Sequence, residues 1–98
     1  DVGILAQLSD GSFNTLVQCL KKKEFNQMRK WVAENLDNDP TTIYRKLYDT
    51  CNTNMKDNTI PILVTTIADY QYKSAFVADQ EINLVACLTT LMIECEFK

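Results

Sequence analysis

Only two glycines and two prolines punctuate 98 residues, and this scarcity restricts the chain more than any other feature. A sheet of many short strands needs tight turns, and tight turns draw on those two residue types. Helices need far fewer of them. With 46% hydrophobic residues and a length that suits one core, the expectation is an all-α fold, a single compact bundle of about five helices.

Apolar spacing locates the helices. Phe13, Leu16, Val17 and Leu20 recur at i, i+3, i+4 and i+7, which predicts a first helix over 12–22 with Asp10 or Ser12 as N-cap. Lys21, Lys22 and Lys23 end it, where cations complement the negative pole of the helix dipole. Phe25, Met28, Val32 and Leu36 mark a second helix from Glu24 to Asn35, with Trp31 at its flank and Arg29 and Lys30 on the other side. Asp39 as cap and Pro40 at the first helical position open a third helix over 40–51, which carries Ile43, Leu47 and Cys51 with Tyr44 and Tyr48 beside them. Polar residues from Asn52 to Thr59 form a long connection, with Asp57 or Thr59 as the next cap.

The fourth stripe runs Ile60, Leu63, Val64, Ile67, Gln71, Ser74, Ala75 and Ala78. Its small C-terminal residues predict a close crossing with another helix. Asp79 then caps a fifth helix over 80–96, with Glu81 in its first turn. The apolar residues of that helix spread around most of its circumference between Leu84 and Ile93. Such a helix is covered on several sides, either as a central helix among the chain's own neighbours or, the favoured expectation, with surplus apolar surface left for a partner.

Several chemistries find no footing. Histidine is absent, which removes the usual neutral-pH base and the commonest metal ligand. Gly3 and Gly11 occur in no phosphate-cradling loop, so nucleotide binding is not expected of this chain. Cys19, Cys51, Cys87 and Cys95 lack paired metal or redox spacing, and Cys87 and Cys95 stand about 12 Å apart along one helix, too far for a disulfide within it. They read as buried, reduced hydrophobes. Asp37 and Asp39 fit capping, and Glu94 and Glu96 lie beside Phe97 and Lys98 with no pocket in view. Neither pair suggests a carboxylate dyad or a magnesium site. No catalytic, cofactor-binding or metal-binding residue is therefore assigned.

The net charge of −3 offers no general attraction to phosphate. A local basic face made by Lys21, Lys22, Lys23, Arg29, Lys30, Arg45 and Lys46 is the alternative, giving a small helical nucleic-acid-binding domain. Glu24, Glu34 and Asp49 interleave with those cations, so a mixed solvated surface is the preferred reading. Tyr44, Tyr48, Tyr70, Tyr72 and Phe76 offer rings for base stacking, yet their helical spacing favours core or subunit contact. No apolar run reaches membrane-spanning length and the start has no signal-peptide layout, which predicts a soluble cytoplasmic protein.

The order of features supplies a family resemblance. DVGIL precedes a helix with a lysine-rich end, KEFNQMRKWV precedes an aromatic-bearing helix, and the chain closes with YQYKSAFVADQEINLVACLTTLMIECEFK. Over essentially all 98 residues this resembles the C-terminal collar domain of the phage-type sliding-clamp loader ATPase subunit, a relative of the replication factor C small subunits. The resemblance implies a helical oligomerisation domain over 10–98, with 1–9 as the junction from an upstream lid and AAA+ ATPase region. Collars of such subunits join into a ring whose ATPase modules open a sliding clamp and load it onto primer–template DNA during replication. ATP and magnesium would bind upstream, not here, and a phage-encoded protein would work in the host cytoplasm. The implied partners are other clamp-loader subunits, through homo- and hetero-oligomeric contacts, with clamp and DNA reached through the upstream domains. Trp31, Tyr70, Tyr72, Phe76, Leu84, Leu88 and Phe97 are the candidate subunit-interface residues.

Overall fold

The computed structural model describes residues 10–98; the proposed junction over 1–9 and the side chain of the candidate cap Asp10 lie outside the described set. Among the described residues, five α-helices follow one another: α1 (Asp10–Lys22), α2 (Phe25–Glu34), α3 (Pro40–Asn52), α4 (Ile60–Lys73) and α5 (Gln80–Glu94). A 3-10 turn, Asp57–Thr59, precedes α4. The chain is an all-α bundle, as the turn-poor sequence requires.

The predicted stripes meet at one core. Phe13, Leu16 and Leu20 of α1, Met28 and Val32 of α2, Ile43 and Leu47 of α3, Leu63 of α4 and Leu88 and Leu91 of α5 are all essentially without solvent exposure. Burial of a side chain of this size stabilises the fold by about 1.5–3 kcal/mol. α5 packs against α1, α2 and α4. Phe13 meets Trp31 edge to face at 5.1 Å. The Trp31 indole N–H donates to both the carbonyl and the hydroxyl of Ser12, each at 3.0 Å. Ser12 therefore lies inside the first turn of α1 and ties it to α2, rather than capping it.

The helix ends carry their own chemistry. The Lys23 amide donates to Leu20 O and the Glu24 amide to Cys19 O, closing α1 with a Schellman pair. The motif places Lys23 at φ 59°, a left-handed position where glycine is usual. Asn35, buried at the end of α2, donates through Nδ2 to Trp31 O at 2.8 Å and occupies the C-cap position rather than the last helical turn. The Asp39 side chain makes no cap bond to a backbone amide, accepting instead from the Thr42 hydroxyl at 3.4 Å, and Pro40 stands at the start of α3. Asp79 does cap α5, accepting from the Ile82 amide at 3.2 Å.

Three expectations need correction. α4 stops at Lys73, and Ser74–Phe76 form a turn, so Ala75 and Ala78 are exposed loop residues and not a close-crossing helix face. Local bonds make that stop: the Ser74 hydroxyl donates to Gln71 O at 2.6 Å, and Gln80 Nε2 donates to Ser74 O at 2.7 Å. α5 ends at Glu94 instead of 96, because the tail leaves the helix to pair with the connection after α3. Lys56 N donates to Glu96 O and Lys98 N to Asn54 O, each at 2.9 Å, flanking an antiparallel bridge of Met55 with Phe97. The 52–59 connection is consequently more than a polar loop. Met55 within it is fully buried, and the Thr59 hydroxyl, proposed as a cap, instead donates to Lys56 O at 2.9 Å and lies 3.2 Å from Glu96 O.

Candidate functional site

At about 100° per residue, α5 carries two opposed faces. Leu84, Cys87, Leu88 and Leu91 point into the core. About half a turn away, Ile82, Val85, Ala86, Thr89, Thr90 and Ile93 recur at i, i+3, i+4, i+7, i+8 and i+11. Ile82 is 67% exposed and Ile93 66%, values that mark uncovered apolar surface at both ends of the stripe. The stripe has no charged residue. Its two hydroxyls are satisfied within the helix, Thr89 donating to Val85 O at 2.7 Å and Thr90 to Ala86 O at 3.0 Å, which leaves methyl groups to face outward.

Most of this stripe forms the floor of an open groove of about 610 Å³. Phe25 and Arg29 of α2 and Tyr70 of α4 line it alongside Ile82, Val85, Ala86, Thr89 and Thr90, with Glu81 at its edge. Phe25 is itself exposed, and Tyr70 is half-buried. A buried polar side chain holds one wall in place. Asn83 Nδ2 donates to the Tyr44 hydroxyl at 3.0 Å and to Tyr70 O at 3.2 Å, joining α5 to α3 and to the last turn of α4. Burial pushes the Tyr44 hydroxyl pKa well above its ordinary value; Cys87 adds to that rise and the Asn83 bond opposes it.

The candidate interface residues fall into two groups. Trp31, Leu84 and Leu88 are buried in the chain's own core, because α2 and α5 direct them inward, so they present no surface to another subunit. Tyr70 and Phe97 are half-buried, whereas Tyr72 and Phe76 are 70% and 72% exposed. The last two rings pair at 5.1 Å beside the α4–α5 corner. Lys73 bridges to Asp69 at 3.1 Å and lies 4.7 Å over the Tyr70 ring. Of the rings considered for base stacking, Tyr44 is buried and Tyr48 half-buried beneath Arg45.

The seven basic residues do not share one depression. Arg29 lines the α5 groove; Arg45 and Lys46 line another hollow with Asp49; Lys21 and Lys23 line a third with Lys56 and Glu96. Lys22 and Lys30 are exposed on α1 and α2. Arg45 is bound to Asp49 at 3.2 Å. Asp37, Asp39, Glu94 and Glu96 are all exposed, and among the described residues no group of three or more cysteine or acidic side chains is placed to hold a metal ion. All four cysteines are buried free thiols; burial pushes Cys51 up to about 12 and Cys95 up to about 11, and it raises Cys19 and Cys87 as well. No described helix is long and apolar enough to cross a membrane.

The groove residues Phe25 and Ile82, the exposed Ile93 beyond the groove and the wall-holding Asn83 were not singled out as site residues from sequence. An apolar helix spread over most of its circumference does not show which side faces inward, and Asn83, of a residue type that is mostly exposed, gave no sign of its burial. Compared with family models, with curated proteins and with solved structures, the chain matches none.

Proposed function

We propose that residues 10–98 are an oligomerisation domain, the C-terminal collar of a sliding-clamp loader ATPase subunit that joins its neighbours in the assembly loading a clamp onto primer–template DNA. The observation that carries the reading is the uncharged outer face of α5, exposed at Ile82 and Ile93 and half-buried between them. Apolar faces of this kind on small domains are protein-docking surfaces, and their aromatic neighbours make good anchors. Phe25 and Tyr70 beside the groove and the exposed Tyr72–Phe76 pair answer that description. The resemblance in feature order supplies the clamp-loader assignment. In that family the ATP, magnesium, clamp and DNA contacts belong to upstream domains, and the collar contributes assembly alone.

Sedimentation velocity of the 98-residue chain, alone and mixed with clamp-loader subunits, tests this. Concentration-dependent association that Ile82→Asp weakens, with helical content unchanged, is the expected result. Strict monomers at high micromolar concentration in every mixture would overturn it. Tight binding of primer–template DNA by the chain itself, with a steep salt dependence, would instead favour a nucleic-acid role.

A further inference from the structure

We propose that the hollow between the end of α1 and the C-terminal tail docks an acidic segment of a partner protein, with carboxylates on Lys21, Lys23 and Lys56 and one aromatic side chain against Phe97. This surface is separate from the outer face of α5 and goes beyond the oligomerisation reading. Either holds or fails without the other.

Charge selects the class of partner. Lys21, Lys23 and Lys56 line an open hollow of about 260 Å³, with Glu96 as the carboxylate among its described lining residues. Cations are thus in local excess on a chain whose net charge is −3. Lys56 stands 3.8 Å from Glu96, whereas Lys21 and Lys23 have no ion pair among the described residues. Both are exposed. Two unanswered ammonium groups beside apolar side chains are complementary to carboxylates that another protein brings.

The backbone singles out Lys23. It holds the left-handed position of the Schellman turn at φ 59°, where glycine is the more stable choice. The turn itself uses only the Lys23 amide, which donates to Leu20 O. A side chain kept there at a cost in stability is one whose ammonium group has a use. Lys56 is fixed as firmly, because its amide donates to Glu96 O at 2.9 Å beside the Met55–Phe97 bridge. Cations presented from a backbone already in place lose less freedom when a partner arrives.

The rest of the lining is apolar. Leu20, Met92 and Cys95 are buried, and Phe97 is half-buried, so its ring is the apolar surface left for a visiting side chain. An aromatic residue packs on such a ring offset or edge to face. A nucleic-acid strand fits less well. Its charge is strung along the backbone, so it meets Glu96 in the hollow and the net negative charge of the chain around it. A short acidic segment confines its carboxylates to the lysines.

Titration of the isotope-labelled 98-residue chain with the blocked peptide Glu-Asp-Phe-Glu-Asp, followed by amide chemical shifts, tests the docking. Saturable shifts centred on Lys21, Lys23, Lys56 and Phe97 are expected. Lys23→Gly removes the charge while favouring the turn, so a binding loss cannot come from unfolding. That variant and Lys21→Gln are each expected to weaken binding about two- to five-fold. Lys22→Gln, exposed on α1 but outside the hollow, should leave it within about 1.5-fold. Serine in place of the peptide's phenylalanine should weaken it about three- to ten-fold. An equal loss from Lys22→Gln would mean diffuse attraction and overturn the hollow as the site. The same shifts from an oligothymidylate at lower concentration than the peptide needs would overturn the acidic-protein partner in favour of nucleic acid. No saturable shift with the peptide at millimolar concentration would overturn the docking altogether.

Discussion

Removal of Asn83 tests the arrangement that holds the groove. Asn83 is buried, and its one amide nitrogen supplies the Tyr44 hydroxyl and the Tyr70 carbonyl. Asn83→Ala deletes both bonds; the Tyr70 carbonyl keeps the Ser74 amide as donor, so the Tyr44 hydroxyl is the buried acceptor left short. At about 0.5–1.5 kcal/mol for each bond, with a further contribution for that stranded group, the loss is about 2–3 kcal/mol. Tyr44→Phe deletes one of the two bonds while keeping the ring, and costs about 1 kcal/mol. The double variant should lose about 1 kcal/mol less than the sum of the single losses, since the shared bond can be lost only once. Urea unfolding followed by helical circular dichroism and by Trp31 fluorescence measures all three. With an m-value of about 1 kcal/mol per molar, Asn83→Ala moves the midpoint by about 2–3 M. Additive losses within about 0.3 kcal/mol would refute the shared bond, and a loss below about 0.5 kcal/mol would refute the role of Asn83 altogether.

Lys23→Gly should stabilise the fold by about 1 kcal/mol, because the left-handed conformation costs a non-glycine residue about 1–2 kcal/mol and glycine returns part of that through unfolded-state entropy; an unchanged or lower urea midpoint would count against the Schellman end. Leu88→Ala should destabilise the monomer by about 2–5 kcal/mol, as a fully buried leucine does, whereas Ile82→Asp should leave monomer stability within about 0.5 kcal/mol and act on association. Raising the pH should erode stability. Burial raises the Cys51 pKa from 9.0 to about 12, so the protonated thiol's contribution is complete below pH 9.0 and is lost as pH climbs towards about 12. The slope from this thiol approaches 1.4 kcal/mol per pH unit, and alkaline unfolding curves of Cys51→Ala should be flatter by that amount.

The helices were legible because their inward stripes are strict. Phe13, Leu16, Val17 and Leu20 have one period and one destination, and so do Ile43, Leu47 and Cys51. Legibility failed where several local solutions share one composition. Ser74, Ala75 and Ala78 suit a helix face as well as a turn, and only the bonds from Ser74 to Gln71 and from Gln80 to Ser74 choose the turn. Met55 looked like part of a polar connection because its burial depends on Phe97, far along the chain. On α5 the inward Leu84 and Leu88 and the outward Ile82 and Ile93 are equally apolar, so the two roles separate only once α1, α2 and α4 are in position. Tyr72 and Phe76, whose spacing suited core and subunit contact alike, are exposed, whereas Trp31 belongs to the core.

The pairing of the C-terminal tail with the connection before α4 has a kinetic meaning. Thr59 and Glu96 meet across 37 positions, whereas each helix closes its bonds within a single turn. Joining distant segments costs loop entropy before it returns any contact, so the helices are expected to assemble first and the tail to lock late. Bonds formed after the folding barrier govern the rate of leaving the native state and not the rate of reaching it. Loosening the tail by Phe97→Ala should therefore raise the unfolding rates in stopped-flow measurements while refolding stays as fast. The last four residues would then set how long an assembled domain survives, while the helices set how quickly it is made.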